Sequence, residues 1–176
     1  MAGYFSYFPK MLYDVEGNGN PKVVTDILRR VVSRESTDES FSALAEYNIA
    51  NGETPEVVSF KVYGTVDYYW ILLLVNNIKD RYYDWPLNEQ QFEAYVNGKY
   101  TNPLDTHHYE ITQSSGPTSS VDDSHLIQVN STTSGALAVS NYEYERRLQE
   151  QKRRIKIIPR EFIPELIEEF KNLVRR

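Results

Sequence analysis

Cysteine is absent from the 176 residues, which excludes disulfides, thiolate metal sites and a cysteine nucleophile. Long apolar runs are missing too. The longest, Tyr68–Val75, falls far short of the ~20 residues needed to span a bilayer. The opening Met-Ala-Gly-Tyr-Phe-Ser-Tyr-Phe-Pro has neither a basic n-region nor an apolar h-region, so the expectation is a soluble chain without a signal peptide, kept in a reducing compartment. Histidine is scarce. His107 and His108 are adjacent and diverge on a strand, and His125 lies across a polar loop. Asp122 or Asp123 could join them at a metal, but surface histidines are the reading the spacing favours. No serine sits in a nucleophile elbow, and no zincin, kinase or Walker spacing occurs. Gly17-Asn18-Gly19-Asn20-Pro21 resembles a phosphate loop only superficially, because no Lys-Ser/Thr follows it. The Glu168-Glu169 pair belongs to the polar face of a helix. No catalytic, cofactor-binding or metal-ligating residue is assigned, and the chain is read as no enzyme.

What is present is a folding composition: 40% hydrophobic, 25% charged and 13% aromatic, against disorder over most of the length. Tyrosine stands out, with 14 residues against 2 Trp and 7 Phe. Its ring supplies apolar area and its hydroxyl a polar handle, which suits contact surfaces. The net charge of −6 is unevenly spread. Residues 141–176 carry a balance of +3 and residues 1–140 a balance of −9. Arg146, Arg147, Lys152, Arg153, Arg154, Lys156 and Arg160 face only Glu150. Such a block suits an acidic protein surface, a nucleic acid or a solvated helix face. The nucleic-acid reading is the weakest, because the rest of the chain would repel phosphate.

Four segments follow from the pattern. In residues 1–42, the aromatic arm Tyr4–Asp14 is too short to fold alone and must dock on this chain or on a neighbour. A helix is then expected from about Thr25, with Val24, Ile27, Leu28, Val31 and Val32 on one side, and a polar loop over Ser33–Ser42. Residues 43–87 open with a short strand at Tyr47–Ile49. Gly52, Thr54 and Pro55 then start a helix that ends at Gly64. A second helix over Asp67–Val75 is apolar nearly all round, so something must bury it on every side. Residues 88–153 hold a helix capped by Asn88, strand-like pieces at His108–Thr112 and Leu126–Val129 around a polar tip at Ser114–Ser124, and a helix over Ala136–Arg154. Residues 154–176 hold a strand at Arg154–Ile158 and an amphipathic helix through Phe162, Ile163, Leu166, Ile167, Phe170, Leu173 and Val174.

Tyr47-Asn48-Ile49-Ala50-Asn51-Gly52-Glu53-Thr54-Pro55 resembles the opening of the LysM module, with Glu in place of its Asp and Pro in place of its Leu. Tyr63-Gly64 and Asn76-Asn77-Ile78 resemble the ends of the module's two helices. Its closing strand resembles only Ile155-Lys156-Ile157-Ile158-Pro159, about sixty residues late. The expected fold class is therefore α+β: a small LysM-like βααβ core with a long insertion, an extended N-terminal arm and peripheral helices. A lone strand leaves backbone groups unsatisfied, so Ile155–Ile158 is expected to return and pair antiparallel with Tyr47–Ile49.

A longer resemblance rests on Val62-Tyr63-Gly64, Tyr69-Trp70-Ile71-Leu72-Leu73, Asn76-Asn77, Tyr82-Tyr83-Asp84-Trp85 and Ala136-Leu137-Ala138-Val139 running to Arg154-Ile155-Lys156-Ile157-Ile158. With the arm Phe8–Tyr13 and Thr25-Asp26-Ile27-Leu28-Arg29, these blocks resemble the LysM-containing baseplate wedge proteins of T4-like contractile-tailed phages. The departure is at about 101–135. The resemblance implies a structural baseplate subunit that binds other wedge proteins, with sheath-initiator or hub components as further partners. It implies many copies in a six-fold ring, no cofactor, no membrane, and a place in the virion tail after assembly in the host cytoplasm. The candidate interface residues are Tyr4, Phe5, Tyr7, Phe8, Tyr13, Tyr82, Tyr83, Trp85, Arg146, Arg147, Arg153, Arg154, Phe162, Leu166 and Phe170. The candidate core residues are Tyr47, Gly52, Gly64, Trp70, Leu73, Ile155 and Ile157. The alternative is a LysM-type peptidoglycan-binding module gripping sugar beside Gly52-Glu53-Thr54.

Overall fold

A computed structural model describes residues 3–29, 31, 44–114 and 121–175. After a 3-10 turn at Tyr4–Tyr7 come strands β1 (Lys10–Tyr13), β2 (Lys22–Thr25) and β3 (Ala45–Asn48), then helices α1 (Pro55–Tyr63), α2 (Tyr69–Val75) and α3 (Glu89–Lys99). Strands β4 (Thr106–Ser114), β5 (Val121–Val129) and β6 (Leu137–Ser140) follow. Helix α4 (Asn141–Arg153), strand β7 (Arg154–Ile157) and helix α5 (Ile163–Arg175) complete the order. The class is α+β. The chain divides into two units, Met1–Trp85 with Arg153–Arg176, and Pro86–Lys152.

The first unit is built around a two-stranded antiparallel sheet, β3 with β7. Tyr47 lies opposite Ile155 and Asn48 opposite Arg154, and the Ile49 N–H extends the ladder to the Arg153 carbonyl at 2.9 Å. Helix α1 starts as its sequence dictates. The Thr54 hydroxyl accepts from the Val57 N–H, Pro55 fills the first helical position, and Gly64 ends the helix at φ 75°, a conformation that favours glycine. The expected second helix is shorter than its apolar run. Thr65 caps a 3-10 turn at Val66–Tyr68 before α2 begins. Trp70, Ile71 and Leu72 are buried there, and Leu73 and Leu74 are partly buried. Helix α5 lays Ile163, Phe170 and Val174 into the same core, beside Val58, Tyr63, Ile155 and Ile158.

The helix expected from Thr25 does not form. Lys22–Thr25 is a strand paired with Lys10–Tyr13, and Asp26 to Arg29 make a turn. The β-branched run Val23-Val24-Thr25 beside a Gly-Asn-Gly-Asn turn favours a hairpin over a helix, and Ile27 and Leu28 are exposed rather than inward. Val32 and the expected loop Ser33–Ser42 lie outside the described residues.

The second unit is a three-stranded antiparallel sheet, order β5–β4–β6, with α3 and α4. Asn88 and Gln91 form a reciprocal capping box at the start of α3, which buries Phe92 and Val96. The strands β4 and β5 extend beyond the expected pieces, so the expected tip Ser114–Ser124 is partly strand, and residues 115–120 lie outside the described residues. The single helix expected over Ala136–Arg154 is a strand followed by a helix. Leu137–Val139 pair with β4, and the Ser140 hydroxyl accepts from the Glu143 N–H at 3.2 Å, capping α4.

Candidate functional site

The aromatic arm docks on its own chain. Phe8 is buried, and the Tyr4 and Tyr7 rings lie 5.5 and 5.7 Å from the Trp70 ring, which stands 4.8 Å from Phe170. Burial pushes the Tyr7 hydroxyl above its ordinary value, against the pull of the Lys171 ammonium 5.7 Å from its ring. Trp70 also lines a cavity of about 390 Å³ with Tyr4, Phe5, Tyr69, Leu73 and Leu74. Phe8 and Phe170, expected at an interface, are buried in the core: the Phe8 ring lies 6.1 Å from Phe170, and Phe170 lies against Trp70, which takes both rings out of water. Leu166 and Phe162 are partly buried against the same cluster, whereas Phe5 and Tyr13 are exposed. The C-terminal helix keeps its place through the apolar face, and Arg29 donates to the Val174 carbonyl at its last turn, at 2.9 Å.

A second exposed feature is the loop after α2. The Asp84 carboxylate accepts from the N–H groups of Lys79 and Asp80 at 2.9 and 3.0 Å, and Asp80 accepts from the Tyr82 N–H. Arg81 places two nitrogens on the two Glu56 oxygens at the first turn of α1. The loop so held presents Tyr82 and Tyr83 at 82% and 75% exposure. Trp85, grouped with them from the sequence, turns inward instead. Its indole N–H needs an acceptor and donates to the Glu53 carbonyl at 2.7 Å, so Trp85 is core.

Glu53 is the residue that the sequence undervalued. Its buried carboxylate accepts from the Ala50 N–H at 2.8 Å, from the Tyr47 hydroxyl at 3.0 Å and from Lys61. Burial pushes this carboxyl up, but Lys61, the Ala50 N–H and Tyr47 together hold it below its ordinary value. Tyr47, half-buried, is raised by burial and by Glu53. Gly52 supplies the turn at φ 78°. Ile155 is buried, Ile157 and Leu73 are partly buried, and Tyr63 is fully buried with its hydroxyl pushed up to about 12. The signal for Glu53 is an acidic side chain in the Asn51-Gly52 turn directly before a helix start.

The basic block divides by role. Arg147, in the second unit, reaches both oxygens of the buried Glu110 at 2.8 Å and Glu143 at 3.3 Å. It is a structural residue, while Arg146 is exposed. Buried Glu145 accepts from Lys99 at 2.6 Å and Tyr100 at 2.8 Å. Burial pushes its carboxyl up, but these two partners hold it below its ordinary value. In the first unit Arg153 is half-buried and Arg154 exposed. His107 stacks on Tyr144 with ring centres 3.9 Å apart, and His108 lies 3.6 Å from Glu110. Among the described residues no group of three or more His, Asp or Glu side chains is placed to hold a metal ion, and no helix is long and apolar enough to cross a membrane.

The hairpin β1–β2 and the turn after it expose apolar side chains. Leu12, Tyr13, Val15, Val23, Ile27 and Leu28 are all exposed within seventeen residues. A surface of tyrosines and aliphatic side chains is suited to protein contact. No curated protein matches the chain. Residues 4–111, more than half of its length, match the family model described as base plate wedge protein 53. The chain thus belongs to the phage base plate wedge protein 53 family.

Proposed function

We propose that this structural baseplate component of the phage tail binds other wedge proteins and links neighbouring wedges into the six-fold ring, assembling in the host cytoplasm before the virion is complete. Sheath-initiator or hub components are further partners. The observation that carries the reading, beyond the family match, is the hairpin Lys10–Thr25, on which Leu12, Tyr13, Val15 and Val23 are exposed. In this proposal residues 43–87 form a LysM-like core closed by the strand within 154–176, and 88–153 is an insertion that carries a contact surface of its own. The test is co-expression with the neighbouring tail genes followed by size-exclusion chromatography. A stable heteromeric complex is expected, and elution of the chain alone in every combination overturns the reading.

A second reading, LysM-type peptidoglycan binding, draws on Tyr82 and Tyr83, held exposed beside the first turn of α1. Aromatic faces can stack on sugar rings. Saturable retention on purified peptidoglycan, lost in a Tyr82→Ala/Tyr83→Ala variant, would favour it.

A further inference from the structure

The ladder of the β1–β2 hairpin fixes which backbone groups point outward. The Asp26 N–H donates to the Pro9 carbonyl at 2.9 Å, so residues 9 and 26 are a hydrogen-bonded pair. Antiparallel alternation then makes Met11–Val24 and Tyr13–Lys22 hydrogen-bonded pairs, and Lys10–Thr25 and Leu12–Val23 non-hydrogen-bonded ones. The N–H and C=O groups of Val23 and Thr25 consequently face away from β1. Among the described residues no third strand joins this sheet.

Two further properties distinguish this edge from an ordinary solvated hairpin. Leu12 and Val23, directly opposite on one face, are 67% and 64% exposed. Ile27 and Leu28 continue the apolar surface beyond the end of β2, Leu28 at 87% exposure. These four side chains expose on the order of several hundred Å², a large part of the ~800 Å² that each partner contributes to a standard interface. An isolated two-stranded hairpin is also marginal in water, and a third strand is the usual remedy. Its base is anchored, since Phe8 is buried just before β1 and Arg29 holds the last turn of α5.

We propose that the free edge of β2 accepts an extended, apolar strand from a neighbouring baseplate protein, which pairs with the outward groups of Val23 and Thr25 and covers the Leu12–Val23 face. This deepens the assembly reading and rests on it. Main-chain bonds at the edge supply affinity, and the exposed side chains set which strand fits. The absence of proline and of charge along Val23–Thr25 leaves the edge open to such pairing.

The test uses the full chain co-expressed with the wedge proteins encoded beside it in its phage. Val23→Pro removes an outward donor while leaving every β1–β2 ladder bond in place, and circular dichroism checks that the variant folds. Its entry into the complex should weaken at least about tenfold. Independently of any variant, hydrogen exchange in the wild-type complex should slow at the Val23 and Thr25 amides by about tenfold or more relative to the free chain. Unchanged exchange at both amides overturns the inference, as does undiminished entry of a folded Val23→Pro chain. A wild-type chain that enters no complex overturns the assembly reading itself, and this inference with it.

Discussion

The side-chain amide of Asn76 holds both backbone groups of Lys156, eighty residues away: it donates to the carbonyl and accepts from the N–H, each at 2.8 Å. Its remaining N–H goes to the Leu72 carbonyl at the end of α2, at 2.9 Å. Because the Ile49 N–H bonds the Arg153 carbonyl, alternation turns the Lys156 groups away from β3. One side chain therefore stands where a third strand would, and it closes the outer edge of β7.

Replacing Asn76 by Ala removes all three bonds. The loss of stability should be about 1–3 kcal/mol, read from the midpoint of urea unfolding. Asn76→Asp keeps the acceptor for the Lys156 N–H but sets a carboxylate oxygen against the Lys156 and Leu72 carbonyls, and should be no more stable than Ala. An Ala variant with the parental midpoint would show that water replaces the amide at no cost.

The strand register can be checked chemically in a chain without cysteine. Asn48 and Arg154 face each other, as do Glu46 and Lys156, and both are non-hydrogen-bonded pairs, the closer kind of pair across antiparallel strands. Asn48→Cys/Arg154→Cys should form an intramolecular disulfide with faster mobility on a non-reducing gel. The offset combination of positions 48 and 156 should not, since diagonal positions lie beyond disulfide reach. Crosslinking at the offset pair alone would disprove the register.

Trp70 anchors the core against Tyr4, Tyr7 and Phe170 at 4% exposure. Trp70→Ala should cost about 3–5 kcal/mol and give a much lower melting temperature or insoluble protein. Among the described residues its buried indole N–H has no acceptor, so Trp70→Phe, which removes that donor, should retain far more stability than Ala. Equal melting of the Ala variant and the parent would contradict the packing of the arm and α5 on this ring.

The Glu53 carboxyl is lowered in the folded chain despite its burial, through Lys61, the Ala50 N–H and Tyr47. A lowered folded value means that its contribution is fully present above the unfolded carboxylate value of about 4.3 and is lost as pH falls below it. The melting temperature should drop on acidification below about pH 4, and more steeply for the parent than for Glu53→Gln. Parallel profiles for the two chains would show that Glu53 has no part in the acid response.

Much of the local structure was readable because it depends on neighbours in the chain. Thr54, Pro55 and Gly64 bound α1 through their own side chains and backbone preferences. Asn88 and Gln91 do the same for α3. The hairpin β1–β2 was readable in principle from Val23-Val24-Thr25 and the Gly-Asn-Gly-Asn turn, but spaced apolar residues at 24, 27, 28 and 31 fit a helical period equally well. Ala136–Arg154 went wrong for a related reason: a four-residue strand leaves too short a pattern to outweigh the long helix after it.

The candidate surface was harder to read, since an aromatic or basic residue looks the same in sequence whether it meets its own core or a partner. Phe8 meets Phe170, Phe170 meets Trp70 and Trp85 meets Glu53 across distant parts of the chain, while Tyr82 and Tyr83, three and two positions before Trp85, stay in water.

Residue order alone settled the helix caps, the glycine turns, the apolar character of α2 and the presence of a late strand at Ile155, because each depends on interactions within a few residues. Only the folded chain decided that Asn76 closes the edge of that strand, that Glu53 gathers Ala50, Tyr47 and Lys61, and that Leu12 and Val23 are left uncovered. These depend on which distant segments come within a few ångströms of each other, and that is set by the packing of the whole core rather than by any local preference.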